Sequence, residues 1–321
     1  MSVQVWLLSE GEALDAENVE PFLRAQLSDP FILQTPRWFR SLIIWWYVWL
    51  QQRALMTGYK QLPGPSPAED HRAEQARLLA RHLGKKYSTH VVFRYRSPDA
   101  RTAAAGINQR SKVVLLPLQP HRCGALYSSV AAAQAAVTER GASHVTIPSY
   151  PSHPRYVEAV AETLRAAIVD LPNEHYGRYG VLFTAQLPAE GRGDAVPEHE
   201  DELNQTVEAV VQSVSLCRPY ELGFVSNRGR VRAASTEKQL KEMARKGLTA
   251  VIVVPLAFTV ERAEAMIAID QRLADQASHL GIALVRAETV SGRPTFIRAL
   301  AALIDDAMLE AGWKDDDAGA E

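Results

Sequence analysis

Two heptapeptides in different halves of the chain, KVVLLPL at Lys112–Leu118 and AVIVVPL at Ala250–Leu256, share one pattern: an apolar, β-branched run closed by Pro-Leu. A run with no polar alternation suits a strand buried on both faces, and such strands belong to parallel sheets covered by helices. Further short runs of this kind lie at Val3–Leu8, Val91–Tyr95, Val145–Pro148, Gly180–Phe183, Tyr220–Val225 and Ala283–Glu288. Amphipathic stretches fill the gaps: Val19–Leu27, Arg37–Met56, Pro67–Leu83, Ser128–Arg140, Tyr156–Leu171, Glu200–Val214, Glu237–Lys246, Val260–Leu280 and Arg293–Ala311. Strand and helix in alternation predict an α/β fold with a parallel sheet between helical layers. The repeated strand divides the eight strands into two four-stranded units, 1–150 and 151–311, followed by an acidic tail at 312–321. In such sheets ligands bind beyond the carboxyl ends of the strands. The segments after Pro117, Phe183, Val225 and Pro255 are therefore the ones to examine.

Composition narrows the function. The 321 residues carry 35 basic and 37 acidic side chains, a formal charge of −2 that offers nucleic acid no basic field. Two cysteines, Cys123 and Cys217, make no disulfide framework, and a cytoplasmic setting follows. The opening MSVQVWLLSEGEAL has no basic segment ahead of its apolar run and reads as a strand, not a secretion signal. The longest apolar run, Leu42 to Leu50, is far short of the roughly 20 residues that span a bilayer. No Walker loop, GxGxxG, CxxC, HExxH or GxSxG occurs. Ser66-Pro67-Ala68-Glu69 has the form of a capping box, with Ser66 as N-cap.

Ten stretches, in order along the chain, resemble ferrochelatases, which insert ferrous iron into a porphyrin. Phe22–Pro36 resembles FLxxFLxDxxVixxP, and Gly64–Pro67 stands where that family has GGSP. Phe93-Arg94-Tyr95 with Pro98 resembles FRYxxP; Pro117-Leu118 with Pro120 resembles PLYPQ; Pro151–Val157 resembles the lead into the domain-linking helix. LFTAQLP at Leu182–Pro188 resembles LFSAHGLP, Gly193-Asp194 resembles GDPYP, and Ser226 with Gly229 resembles QSRxG. Pro255–Asp270 is similar to PxFxxDxxETLxEID and Gly292–Ile304 to the terminal helix. The resemblance implies two Rossmann-like domains with the tetrapyrrole in the cleft between them, and the helix after Arg293 (about 293–311) packed back on the first. It implies Arg94, Tyr95 and Ser226 as cleft residues, with Trp45 and Trp49 on a lip above.

Metallating a porphyrin requires a base for two pyrrole protons and weak ligands that surrender the metal. In the family a histidine of the SAHGLP turn and a glutamate of the ETLxE helix share this work. Here the histidine position reads Gln186, whose amide does not titrate and is no general base. Glu264 matches the glutamate, and Glu261, three residues earlier on one helix face, is the second carboxylate expected to face the cleft and meet the metal. The next acidic position is Ala268, which cuts the ladder. The resemblance therefore implies a porphyrin- or haem-binding protein of haem biosynthesis with slow or absent metal insertion. The alternatives are an unorthodox chelatase using Glu264 and Glu261 on Fe2+, and a non-catalytic assembly subunit. Two cysteines cannot hold an iron–sulfur cluster, and both read as buried thiols. His199, in the acidic run 198–202, reads as part of a solvated helix start, and His121 as a loop histidine after the Pro117 strand.

Four of the six tryptophans fall between Trp38 and Trp49. The segment 38–56 is apolar on almost every side. It is a lip that holds a tetrapyrrole or rests peripherally on a membrane, a homodimer or haem-pathway partner interface, or a buried core helix. At least two of Trp45, Trp46 and Trp49 are expected to be exposed in the monomer.

Overall fold

The computed structural model describes residues 3–33, 35–186, 197–225, 235–256 and 258–313. Strands β1 Val3–Ser9, β2 Tyr87–Phe93, β3 Lys112–Pro117 and β4 Ser143–Thr146 form one sheet in the order β2-β1-β3-β4. Strands β5 Tyr179–Gln186, β6 Tyr220–Val225, β7 Ala250–Pro255 and β8 Ala283–Arg286 form another, in the order β6-β5-β7-β8. Every pairing is parallel, and the two orders are the same order repeated. The central strands are nearly continuous in burial, whereas β4 and β8 at the edges are only half-buried.

The Pro-Leu pair does the same job twice. Proline has no N–H to give the ladder, so it sits at the last position of β3 and of β7. The N–H of the leucine that follows closes the ladder instead: Leu118 donates to Leu8 O and Leu256 to Thr184 O, each at 2.9 Å. Each chain then leaves its sheet at the carboxyl edge, where β1 and β5 also end.

The helices are α1 Val19–Leu27, α2 Arg37–Lys60, α3 Ala68–Leu83, α4 Ala100–Ala104, α5 Gly124–Glu139, α6 Pro154–Val169, α7 Pro197–Ser213, α8 Thr236–Arg245, α9 Ala263–Ala265, α10 Ala274–His279 and α11 Pro294–Glu310. The helix that follows the last strand of each sheet packs on elements of the other sheet's layer. α6 follows β4 yet packs on β7, α7 and α11, while α11 follows β8 and packs on α3, β3, β4 and α6. One apolar cluster consequently runs through both sheets, joining Leu7 and Val114 to Phe183 and Ile252 by way of Leu164, Phe296 and Leu300. Tyr156 of α6 stacks edge-on with Phe296 of α11 and donates to Leu256 O at 3.2 Å.

Two local expectations are corrected. The capping box forms only in half: Ser66 Oγ accepts from the Ala68 N–H at 3.3 Å and donates to Glu12, while Glu69 pairs with Arg96 instead of reaching back to Ser66, whose N–H goes to Leu14 O. Ser66 is drawn to a buried carboxylate distant in sequence, and no local pattern records that. The helix expected over Val260–Leu280 begins only at Ala263 and is a π-helix from Met266 to Leu273. Its Ile267 meets α2 at Gly58, where an added Cβ would lie 2.9 Å from the Ile267 side chain.

Phe296 is fully buried where the two halves share their core. Phe296→Ala is expected to cost about 3–5 kcal/mol in chemical denaturation. A cost below about 1 kcal/mol would mean that α11 is an appendage and not part of the joint core.

Candidate functional site

The expected pair is in contact. Gln186 ends β5, Glu264 lies in α9 shortly after β7, and Gln186 Nε2 donates to Glu264 Oε2 at 3.1 Å. The two side chains do not face each other from opposite halves over a gap. β5 and β7 are adjacent strands of one sheet, so both groups stand on the same carboxyl edge.

The other half contributes the Ser9-Glu10-Gly11-Glu12 turn after β1. Arg262 reaches across to it. Its guanidinium is buried, donates to Glu10 Oε1, lies 2.7 Å from Glu12 Oε2 through Nε, and stands 3.9 Å from Glu264 Oε2. Glu12 also accepts from the Ser66 hydroxyl and from the Ala263 N–H. Burial opposes the charge on Arg262, but Glu10, Glu12 and Glu264 outweigh it and hold the group protonated. Burial lifts Glu264 above the ordinary carboxylate range; Arg262 and the Gln186 amide pull it down, and Glu10 and Glu12 push it up. A second buried guanidinium, Arg72, lies over the Phe93 ring, and burial lowers it to about 10.

Glu261 is not part of this group. Its carboxylate takes Arg286 Nη2 and the Thr289 N–H. The expectation that Glu261 and Glu264 share one helix face fails because the helix starts after Arg262. Glu261 lies in the extended approach, where the three-residue spacing points it elsewhere. Among the described residues no group of three His, Cys, Asp or Glu side chains could hold a metal ion.

Arg94 pairs with Asp29 at 2.7 Å, its guanidinium stands 5.5 Å from the Tyr95 ring, and Tyr95 donates to Asp29 at 3.2 Å. They line a polar pocket of about 470 Å³ with Ser28, Arg96 and Asp99. Ser226 lies outside the described residues. Cys123 is half-buried, with desolvation pushing its thiol up to about 12, and Cys217 is exposed, against the expectation of two buried thiols.

Two histidines stand where the sequence did not place them. His199 is only 6% exposed and His121 only 2%. At the start of α7, Glu198, Glu200 and Asp201 are exposed as expected, but His199, Glu202 and Thr206 lie against the loop after β3 in the first half. His199 Nδ1 is 2.6 Å from Arg122 O, Glu202 accepts from Arg122 N at 2.6 Å, and His121 Nε2 is 2.8 Å from Thr206 Oγ1. The His199–Glu202–Thr206 spacing, which lines one helix face, was the available signal. Nothing in the acidic composition tells that face from a wet one.

On α2, Ile44, Val48 and Tyr59 are buried, but Trp38 is 84% exposed and Trp45, Trp46 and Trp49 are 55, 55 and 53% exposed. The expectation for Trp45, Trp46 and Trp49 holds, and the buried-core alternative is excluded. No helix among the described residues is long and apolar enough to cross a membrane.

Two parallel sheets of repeated order, with carboxyl edges meeting at a buried carboxylate, define a protein of the chelatase fold class. SirB from Bacillus subtilis, solved with Fe3+, is similar with TM-score 0.53 at 14% identity, over 97% of this chain and 98% of that one. CbiX, the terminal enzyme of sirohaem biosynthesis in denitrifying bacteria, is similar with TM-score 0.50 at 13% identity, over 96% of this chain and 99% of its own. The ferrochelatase family model matches residues 3–308, and the chain belongs to the ferrochelatase family. It is 29% identical to a ferrochelatase of Nostoc sp. over 97% of this chain and 84% of that one. It is 28% identical to the ferrochelatase of Aquifex aeolicus over 95% and 99%.

His121 supplies a pH prediction. Burial, with His199 adding to it, lowers its pKa to about 3 from 6.5. The unfolded chain therefore binds the proton that the fold refuses, and stability falls as pH drops from about 6.5 towards 3. His121→Gln, which keeps a donor for Thr206, should flatten the melting temperature against pH in scanning calorimetry between those limits. An unchanged slope would remove His121 from the acid response.

Proposed function

We propose that this chain is a tetrapyrrole-binding member of the family, linked to haem biosynthesis, in which metal insertion is slow. The observation that carries the reading is the Gln186–Glu264 hydrogen bond: an amide, which takes no proton, stands against the carboxylate where an imidazole base is expected. Arg262 lies closer to Glu10 and Glu12 than to Glu264, which it approaches only to 3.9 Å, so Glu264 is the most weakly paired of the three carboxylates. A positioned base contributes 10²–10⁴ in rate, and its loss sets the expected deficit. The reading treats 1–150 and 151–311 as two domains, with Arg94, Tyr95 and Ser226 toward the ligand, in a cytoplasmic protein.

The test is a porphyrin titration followed by Soret absorbance, then insertion of Fe2+ or Zn2+. Binding with turnover well below about 1 s⁻¹ is expected, and turnover at that level or above, the ordinary enzyme range, overturns the demotion of activity. Glu264→Ala should abolish residual insertion and leave porphyrin affinity largely intact. Restoring histidine at 186 should not suffice, because the family turn has one more residue. A second reading, an unorthodox chelatase working through Glu264 and water, is favoured by the raised proton affinity of Glu264, which brings it closer to a base useful near neutral pH. Glu261 no longer belongs to that reading, since Arg286 and Thr289 occupy it.

For α2 we infer a peripheral contact with an anionic membrane surface. Four exposed tryptophans share the helix with Arg37, Arg40, Arg53 and Lys60, and with no acidic residue. Trp favours the interface, and basic residues favour anionic headgroups. The double variant Trp45→Ser, Trp49→Ser should lose flotation with phosphatidylglycerol vesicles. A dimer in sedimentation without vesicle binding would assign the face to a second copy.

A further inference from the structure

The reading above leaves the site without an imidazole at position 186, yet an imidazole lies directly behind that residue. His199 Nε2 is 3.3 Å from the backbone oxygen of Gln186, whose side chain donates to Glu264 at 3.1 Å. His199 Nδ1 is 2.6 Å from Arg122 O in the other half of the molecule. A neutral imidazole has one N–H for these two carbonyls. The shorter contact claims it, so Nδ1–H donates to Arg122 and the Nε2 lone pair points at the Gln186 oxygen. In that form Nε2 makes no hydrogen bond. One added proton changes this: Nε2–H then donates to Gln186 O, and both carbonyls are satisfied.

We propose that His199 is the imidazole of this site, a positioning residue that takes a proton at Nε2, grips the Gln186 carbonyl with it, and so sets how the Gln186 amide meets Glu264. The proposal rests on the tetrapyrrole reading for its use: metal insertion releases two pyrrole protons, and His199 is a proton acceptor one residue-width from the Gln186–Glu264 pair. The groups that face it are known from each side. Burial is the largest influence and holds the pKa of His199 below its ordinary value, while the Arg122 and Gln186 carbonyls and then Glu202 and Glu200 on α7 favour its charged form. His121 stands edge-on with ring centroids 6.3 Å apart and stays neutral, Arg122 has its guanidinium on Glu202 and Glu198, and Glu264 lies beyond Gln186. His199 thus has two states with the same first anchor, and they differ only in the hold on the end of β5.

Two substitutions hold these states apart. His199→Asn keeps an amide donor near the Nδ1 position for Arg122 and puts nothing at Gln186. His199→Gln reaches the Nε2 position with a permanent N–H. The readout is the side-chain amide signal of Gln186 in ¹H–¹⁵N spectra of the full chain, identified by its loss in Gln186→Ala, with the His199 ring signals followed in parallel. In the unsubstituted protein the Gln186 signal is expected to shift with pH at the His199 midpoint. It should stay at the high-pH position in His199→Asn and at the low-pH position in His199→Gln, without pH shift in either.

A Gln186 signal that ignores the His199 titration, or that keeps its pH shift in His199→Gln, overturns the proposal. So does a His199 that stays neutral until the protein unfolds in acid. Should either variant fail to fold, the coincidence of the two midpoints in the unsubstituted protein decides alone. Insertion of Zn2+ into a porphyrin should be slower in His199→Asn than in His199→Gln, with Soret-measured affinity unchanged. Absence of any Soret change would end the tetrapyrrole reading and leave the spectral result on His199 standing.

Discussion

The buried guanidinium of Arg262 is the tie on which the arrangement of the site depends. It joins the turn after β1 to the segment after β7, taking Glu10 and Glu12 from one half while standing beside Glu264 in the other. Ions buried in this way are expensive to desolvate, and their mutual attraction rarely exceeds that cost by much. Removing one partner is another matter, because it strands a charge in a medium that cannot solvate it. Such a network adds little to stability but fixes geometry, and here the fixed geometry brings two carboxyl edges together. Ser66 and the Ala263 N–H complete the shell around Glu12, which ties the start of α3 and the start of α9 to the same point.

Around that tie, the chemistry follows from what each group can do with a proton. The amide at 186 donates to Glu264 and takes up no proton from it. Glu264 itself is raised by burial and lowered by Arg262 and Gln186, so its proton affinity is a balance of neighbours from both halves. The α7 seam adds a second buried polar layer, with Glu202 taking Arg122 N–H and the Ser149 hydroxyl while His121 and Thr206 bond beneath it. The halves are therefore joined by an apolar core through α6 and α11 and by two polar seams, one on each side of Gln186.

The aromatic face of α2 sits apart from this economy. Its buried side, Ile44 and Val48, seals α1 and the π-helical segment, and Gly58 permits the close approach to Ile267. Its outer side leaves large apolar area in water. A monomeric soluble surface rarely keeps such a patch without a partner or a membrane to cover it.

Much of the architecture was legible in the chain because it is local. The run Tyr220–Val225 matches its strand residue for residue, the runs from Lys112 and Ala250 match theirs up to the proline, and the echo of KVVLLPL in AVIVVPL announced two four-stranded units, whose common strand order only the structure shows. Apolar periodicity is a property of neighbours, and burial on both faces leaves its mark in composition. The motif resemblance likewise paired Gln186 with Glu264, though across a cleft and not on one sheet edge as the structure has them. What escaped was every pairing decided by the approach of distant segments. Ser66 donated to Glu12, Glu69 went to Arg96, Glu261 to Arg286, and Arg262 to Glu10. His199, in a run of acids that reads as wet, was buried against Arg122 and Gln186. A charged or polar side chain carries no sign of which desolvated partner will meet it. The sequence by itself determined which segments are strands and helices and how they repeat; only the tertiary structure decided which polar groups share a proton, because that choice is made by burial between halves and not by any neighbour along the chain.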